Sequence, residues 1–238
     1  MRHTYALIIP ALNEAESIGT VLHRLPGEIF LQVIVVDNGS HDRTAEVAAA
    51  AGAQVVAEPR RGYGQACWRG IQQLHRSVTA IAFMDADLSD DPEDLLQLAQ
   101  RFEEDLWDMV LGSRVLGNPE PGSLTPLQQF GNWLSTRLIA ILWQIHFTDL
   151  GPMRIVRRDS LARLAMQDRT FGWTVEMQAR AAQLHLRVCE VPVRYHRRTY
   201  GRSKISGTFF GSLRAGTKIL WTILRCCVSP LRASTPAP

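Results

Sequence analysis

Short apolar runs alternate with amphipathic stretches through the first half of the chain. The apolar runs are rich in Ile, Val and Ala and predict buried strands at 5–10, 32–36, 54–57, 80–84 and 109–111. The stretches between them have helical spacing and predict helices at 13–25, 44–51, 64–75 and 92–104. Strands that alternate with helices at this spacing predict an α/β fold with a doubly wound, mostly parallel sheet flanked by helices.

The pattern changes after residue 114. A proline-containing loop precedes an amphipathic stretch at 127–147, and helices are predicted at 159–166 and 171–184. A strand is predicted at 188–195, and 208–227 has the pattern of a cationic amphipathic helix. We therefore predict one α/β domain over residues 1–207 and an amphipathic helix and tail over 208–238.

Polar clusters follow three of the predicted strands. These are Asn13-Glu14, Asp37-Asn38-Gly39-Ser40 and Asp85-Ala86-Asp87. In open α/β sheets ligands bind beyond the carboxyl ends of the strands. We therefore expect the three clusters to meet in one crevice.

Asp85 and Asp87 are the candidate metal ligands of this crevice. Two carboxylates one residue apart, directly after a buried strand, suit a hard cation such as Mg²⁺ or Mn²⁺, which is often shared with substrate phosphates. The alternative is that both are loop and capping residues before the helix at 92–104. The Asp-x-Asp pattern by itself does not decide between the two.

Charge and cysteine content narrow the possible partners. The formal net charge is only +3, but acids concentrate at 85–108 and bases near the C-terminus, which favours an anionic partner such as a phosphate or a membrane surface. No nucleic-acid-binding module is recognisable. The four cysteines have no metal-ligand spacing, and no signal peptide or spanning segment is indicated. We expect a cytoplasmic protein, with peripheral contact at the cytoplasmic face of the membrane as one possibility.

The motifs together resemble glycosyltransferase family two with a GT-A fold, in particular the dolichyl- and polyprenyl-phosphate mannosyl- or glucosyltransferases. They occur in the order of that family over residues 5–207. They are Ile9-Pro10-Ala11-Leu12-Asn13-Glu14, Val33-Ile34-Val35-Val36-Asp37-Asn38-Gly39-Ser40, Arg61-Gly62-Tyr63-Gly64, Met84-Asp85-Ala86-Asp87-Leu88, Gly112-Ser113-Arg114 and Gly201-Arg202-Ser203-Lys204-Ile205-Ser206.

The resemblance implies a metal-dependent, inverting transfer of a hexose from a nucleotide diphosphate sugar of the UDP-glucose or GDP-mannose type. It implies that Asp37 hydrogen-bonds the nucleotide base. Ser89 stands where many relatives have a glutamine that binds the metal, so that Asp90 or water is an alternative metal ligand. Asn38 replaces a second acid of the family. The residues that the resemblance assigns to the donor are Pro10, Leu12, Glu14, Val35, Asp37, Asp85, Ala86, Asp87, Arg114, Arg198 and Lys204.

The acceptor is open between two chemical classes. A polyprenyl phosphate is already an anion and needs positioning, which Arg114, Arg154, Arg198 or Lys204 could supply. A hydroxyl acceptor on a glycan or small metabolite needs a base, for which Asp149 and Glu176 are the candidates. Asp149 could equally be a loop residue that pairs with Arg154, and Glu176 could simply cap or face solvent.

Two further functions share this sheet and acidic site. A nucleotidyltransferase would release pyrophosphate, and a non-catalytic nucleotide-sugar binding protein would not need Asp87.

The basic segment 197–204 is expected to close over the diphosphate, with a solvated loop as the alternative. The stretch 133–147 suits core packing or lipid contact equally, whereas 208–227 favours interfacial membrane binding.

Overall fold

The computed structural model describes residues 2–200 and 209–229 and contains a seven-stranded mixed sheet in the order β3-β2-β1-β4-β6-β5-β7. All neighbours are parallel except β6, which is antiparallel to both β4 and β5. The strands are β1 (Tyr5–Ala11), β2 (Phe30–Asp37), β3 (Gln54–Ala57), β4 (Ala80–Phe83), β5 (Met109–Ser113), β6 (Arg154–Arg157) and β7 (Val188–Pro192).

Helices cover both faces of the sheet, as the sequence predicts. Because side chains alternate along a strand, Ile8 and Ile34 join one buried cluster and Leu7 and Val35 the other. Helices α1, α2 and α4 pack on the second cluster, and α3 and α5 to α8 on the first. The helices are α1 (Ile18–His23), α2 (Thr44–Ala50), α3 (Tyr63–Ile71), α4 (Asp94–Glu104), α5 (Pro126–Trp143), α6 (Arg158–Leu164), α7 (Trp173–Gln183) and α8 (Phe209–Val228).

The antiparallel direction of β6 was not predicted, and it follows from the path of the chain. The segment after β5 leaves the carboxyl end of the sheet, runs through α5 and returns at the same edge. Arg154, the first residue of β6, pairs with Phe83, the last residue of β4. The return at this edge brings the segment 149–153 to the carboxyl end of the sheet, where the candidate crevice lies.

Helix α5 has a well-defined start and an unusual face. Thr125 and Gln128 form a capping box with Pro126 at the first turn. Ser135, Thr136 and Ile139 are the residues that α5 buries. Its exposed apolar side chains include Phe130, at 55% exposure, Trp133, at 54%, and Ile141, at 75%. The helix therefore buries two polar residues beside Ile139 and leaves several large apolar residues facing outward.

Helix α8 packs on the domain through its inner face. Ile223 and Cys226 are buried there, and Lys218 forms a 2.7 Å ion pair with Asp168. The helix contacts both α5 and α7. None of the helices within the described ranges is long and apolar enough to cross a bilayer.

Candidate active site

Three loops at the carboxyl end of the sheet are joined by hydrogen bonds, which confirms the predicted convergence. The backbone N–H of Asn13 donates to Ser40 Oγ at 2.9 Å, and the N–H of His41 donates to Asn13 Oδ1 at 2.8 Å. The Arg198 side chain then joins the Glu14 carboxylate to Asp87 Oδ2. The loops after β1, β2 and β4 therefore share one crevice, which Arg198 closes from one side.

Asp85 and Asp90 are buried acids whose carboxylate oxygens are only partly hydrogen-bonded or not hydrogen-bonded at all. Asp85 Oδ1 and both carboxylate oxygens of Asp90 are buried without a hydrogen-bond partner in the described part of the chain. Burial, and then the charge of Asp87, raises the pKa of Asp85 to about 7, although a hydrogen bond from Tyr63 opposes this. Burial and the charge of Asp85 raise the pKa of Asp90 well above its usual range.

Both carboxylate oxygens of Asp87 accept a hydrogen bond. Its Oδ1 accepts the backbone N–H of Ser89 at 3.0 Å, and its Oδ2 pairs with Arg198 Nη1 at 2.9 Å. Leu88 adopts a left-handed conformation, with φ of 63°, which a non-glycine residue rarely takes and which turns the chain back under Asp87. The backbone of Ser89 thus orients Asp87, while Ser89 as a metal ligand remains a prediction.

These acids fit a divalent cation. Buried carboxylate oxygens without partners are unfavourable, and a cation would compensate for them. No group of three or more His, Cys, Asp or Glu side chains in the described ranges is arranged to hold a metal alone. A cation at Asp85 or Asp87 would therefore need further oxygens from substrate or water, as Mg²⁺ commonly does when it binds with phosphates.

Arg114 is fixed at the crevice by Asp149. Its Nε and Nη2 donate to the two carboxylate oxygens of Asp149, each at 2.8 Å, and its backbone N–H donates to Oδ2 at 2.8 Å. The guanidinium also stacks over the ring of Tyr195 at 5.0 Å. Burial lowers the pKa of Arg114, but attraction and hydrogen bonding from Asp149 outweigh it, so the net pKa is raised. A Cβ at Gly151 would lie 3.0 Å from Asp149 Oδ2, so a larger residue here would crowd this pair.

The role of Asp149 as a catalytic base remains a prediction, and the structure gives this carboxylate a different use. Its side chain is 1% exposed, and its oxygens bind Arg114 and the backbone N–H of Leu150. Asp149 does lie in a polar turn with an arginine partner, but the partner is Arg114 rather than Arg154.

Glu176 and Arg154 also have structural positions. Glu176 pairs with Arg180 at 2.8 Å and accepts the N–H groups of Gln167 and Asp168. Arg154 is 1% exposed and donates to the backbone carbonyls of Pro152, Thr174 and Gly151. Neither side chain faces a position where it could act directly on a substrate, because the polar atoms of each bind other groups inside the fold.

Two residues at the ends of the predicted nucleotide-binding strands, Val35 and Asn38, stabilise the fold. Val35 is completely buried in the sheet and cannot contact a nucleotide. The Asn38 amide donates to the carbonyls of Glu58 and Arg60 and accepts the N–H of Gly62. An aspartate at position 38 could not donate those two hydrogen bonds. The presence of Asn38 is therefore explained by its contacts to the loop after β3 rather than by the identity of the donor sugar nucleotide.

The remaining donor residues lie at or near the crevice. Pro10, Leu12 and Asp37 are partly exposed at the ends of β1 and β2, and Ala86 is buried between the two acids. Asp37 Oδ1 accepts the N–H of Ser40 at 3.0 Å. Lys204 lies outside the described residues. The roles of these residues in donor binding remain predictions.

Sequence reasoning missed the two tyrosines of the site. Tyr63 hydrogen-bonds Asp85, and its position in a Gly-Tyr-Gly turn was the available signal. Tyr195 stacks on Arg114 and belongs to a segment that pairs with Asp90 in a β-bridge. No sequence signal marked Tyr195, because the bridge joins segments far apart in the chain.

A cavity of about 730 Å³ opens beside Arg114, beneath the outer face of α5. Asn132 on its wall is used internally, since it bonds the backbone of Thr148 and Leu150. Arg137 and His146 also line it, and neither forms a hydrogen bond or ion pair with another described residue. Apolar walls come from side chains such as Trp133, Leu124 and Phe147. The cavity therefore combines basic groups with an apolar wall.

Comparison with known proteins agrees with this arrangement. Residues 6–165 match the sequence profile of Glycosyl transferase family 2. The chain is 39% identical over 210 residues to an uncharacterized glycosyltransferase of Mycobacterium tuberculosis, covering 88% of this chain and 93% of that protein. It is 30% identical over 235 residues to the undecaprenyl-phosphate mannosyltransferase of Micrococcus luteus, covering 92% and 96%. Among solved structures, glucosyl-3-phosphoglycerate synthase from M. tuberculosis, in complex with Mn²⁺ and UDP-glucose, superposes with a TM-score of 0.75 at 20% identity, covering 96% of this chain and 80% of that chain.

Proposed function

The chain belongs to glycosyl transferase family 2, and we propose that it transfers a hexose from a nucleotide diphosphate sugar to a polyprenyl phosphate, using Mg²⁺ or Mn²⁺. An acceptor phosphate oxygen would attack the anomeric carbon while the bond to the diphosphate breaks, with inversion. The electron pair of that bond leaves on the nucleoside diphosphate. The relative from M. luteus carries the name of a lipid-phosphate mannosyltransferase, which supports this acceptor class.

The donor half of the crevice supplies the charges that this reaction needs. Asp37, at the end of β2, is proposed to accept a hydrogen bond from the base. A divalent cation held by Asp85 or Asp87 would offset the charge that develops on the departing diphosphate. Arg198, which pairs with Asp87, and Arg114, whose charge acts on Asp85, would contribute to the same stabilisation.

The cavity beside Arg114 is the observation that carries the acceptor assignment. A polyprenyl phosphate needs a cationic end for its phosphate and an apolar path for its chain. Arg137 offers the first, and the Trp133 wall leads to the exposed apolar face of α5. Asp149 and Glu176, the carboxylates that the sequence offered as bases, are locked in ion pairs. An acceptor that is already an anion needs neither of them.

The test is a donor screen that measures nucleoside diphosphate release with Mn²⁺. We expect release to depend on a short polyprenyl phosphate, with at least about a 100-fold increase over water, because positioning of the acceptor converts a bimolecular step into an intramolecular one. The matching polyprenol, without phosphate, should not replace it. Release driven equally by polyprenol or by a sugar hydroxyl would refute the acceptor class, and pyrophosphate release would indicate a nucleotidyltransferase.

The outer faces of α5 and α8 are proposed to lie on an anionic bilayer surface. The two helices contact each other, and α8 exposes Trp221, Leu224 and Val228 beside Arg225. Large apolar side chains next to bases are typical of interfacial helices. Charge complementarity favours anionic lipid, since Arg137 lies on the exposed face of α5.

Vesicle flotation tests this surface. A Phe130→Ser/Trp133→Ser variant should bind vesicles containing phosphatidylglycerol about tenfold or more weakly than the wild type, because two apolar side chains lose their burial in lipid. Leu31→Ser/Leu106→Ser is the matched control, since these residues are 55% and 65% exposed outside α5 and α8. Wild-type protein that stays in the soluble fraction with anionic vesicles would contradict the proposal.

A further inference from the structure

Arg198 is the arginine that contacts the acids of the candidate donor site directly. Its Nη1 lies 2.9 Å from Asp87 Oδ2, its Nη2 pairs with the Glu14 carboxylate, and its Nε donates to the carbonyl of Tyr200 at 2.7 Å. The side chain is only 18% exposed. Arg198 is therefore held at the centre of the crevice rather than extended into solvent.

This contact places the Arg198 guanidinium directly against the Asp87 carboxylate. Oδ1 accepts the backbone N–H of Ser89, and Oδ2 binds Arg198. Each oxygen has a further lone pair, but a divalent cation at Oδ2 would lie beside the guanidinium and be repelled by it. A cation at Asp87 and the present position of Arg198 therefore oppose each other. Releasing Arg198 without a replacement would leave Glu14 and Asp87 close to Asp85 with less compensation, since both charges already act on the Asp85 carboxylate.

We infer that Arg198 is a built-in counter-cation that keeps Asp87 unavailable until a nucleoside diphosphate arrives. The diphosphate offers the guanidinium a stronger anionic partner, with geometry that suits bidentate binding. Arg198 then moves from the two carboxylates to the diphosphate and frees Asp87 Oδ2. The consequence is that cation and nucleotide bind together, with each raising the affinity for the other. This inference rests on the proposed nucleotide diphosphate donor.

The position predicts an unusual effect of removing Arg198. In Arg198→Gln, Asp87 Oδ2 loses its competitor, so the protein without nucleotide should bind Mn²⁺ about tenfold more tightly than the wild type. The gain from adding UDP or GDP should shrink, because the exchange no longer occurs. Electron paramagnetic resonance of free Mn²⁺ measures both affinities directly and does not depend on turnover.

Arg187→Gln is the matched control. It removes the same charge from an arginine that pairs with Asp105 at 2.8 Å instead of with the acids of the crevice. Its Mn²⁺ affinity should equal that of the wild type. Arg198→Lys should give a smaller gain than Arg198→Gln, because one ammonium keeps the charge but cannot span Glu14 and Asp87 as a guanidinium does.

The outcomes separate this inference from the proposed function. An unchanged or weaker Mn²⁺ affinity in folded Arg198→Gln, with nucleotide-stimulated Mn²⁺ binding intact in the wild type, would overturn the role of Arg198. If Arg198→Gln does not fold, the same conclusion follows from Arg198→Lys with no gain over wild type. Wild-type protein whose Mn²⁺ binding does not respond to UDP or GDP would instead count against the proposed donor. A gain in Arg198→Gln that disappears when Asp87→Asn is added would place the cation at Asp87.

Discussion

Asp87→Asn is expected to lower kcat/KM for hexose transfer by about 100-fold or more, while the fold is retained. Asparagine keeps the shape of the side chain and can still accept the Ser89 N–H, but it loses the charge that Arg198 and a divalent cation require. Loss of one preorganised electrostatic contact at a departing group commonly costs two to three orders of magnitude, or about 3–4 kcal/mol. The measurement is nucleoside diphosphate release at saturating Mn²⁺, with thermal melting to confirm that the variant is folded.

Asp105→Asn is a suitable control for this variant. Asp105 also pairs with an arginine, Arg187, at 2.8 Å, but at the exposed end of α4 away from the crevice. Its activity should match that of the wild type. Full activity of Asp87→Asn would mean that transfer proceeds without this carboxylate, as a non-catalytic role or a different metal site would require.

Asp149→Asn is expected to lower the free energy of unfolding by about 3–5 kcal/mol, because it leaves the Arg114 guanidinium without its ionic partner in a buried site. Arg114 and Asp149 are 13% and 1% exposed, so water can compensate only slightly. For a chain of this length, such a loss corresponds to a fall in Tm of roughly 10 °C. Calorimetric or fluorescence melting provides the measurement, and Asp105→Asn should melt close to the wild type because that pair is exposed to solvent.

A double variant separates stability from function at this pair. Arg114→Met/Asp149→Asn removes both charges together and keeps a side-chain oxygen for the backbone N–H groups that Asp149 binds, so much of the lost stability should return. Its transfer activity should stay low, because Arg114 would no longer place positive charge at the crevice. Recovery of both properties would show that the pair is structural alone, and wild-type melting of Asp149→Asn would contradict the description of a buried, mutually dependent pair.

The sequence predicted the strands and helices well because their signals are local. The strands at 54–57 and 80–84 and the helix at 44–51 lie within about a residue of β3, β4 and α2. Helix α1 is shorter than predicted, since the segment before Ile18 forms turns that bring Glu14 into the crevice. The antiparallel insertion of β6 was not predictable, because strand order depends on contacts between segments far apart in the chain.

In the candidate site, too, features set by local sequence were predictable and contacts between distant residues were not. That Glu14, Asp37 and Asp87 would meet followed from the sequence, because the carboxyl ends of strands share one edge of a sheet. The internal partners of Asp149, Glu176 and Arg154 could not be predicted from the sequence, for a common reason. A charged residue in a polar turn has the same sequence appearance whether it faces substrate or a buried partner, and only its neighbours distinguish the two.

The amino-acid sequence by itself determined the sheet, the cluster of acids at its carboxyl end and the family to which the chain belongs. Hydrophobic periodicity and short motifs carry that information, and both are properties of neighbouring residues. The tertiary structure alone decided that Asp149 holds Arg114, that Arg198 lies on Asp87, and that α5 turns Phe130 and Trp133 outward. Each of these depends on which distant side chain satisfies a charge or covers an apolar surface.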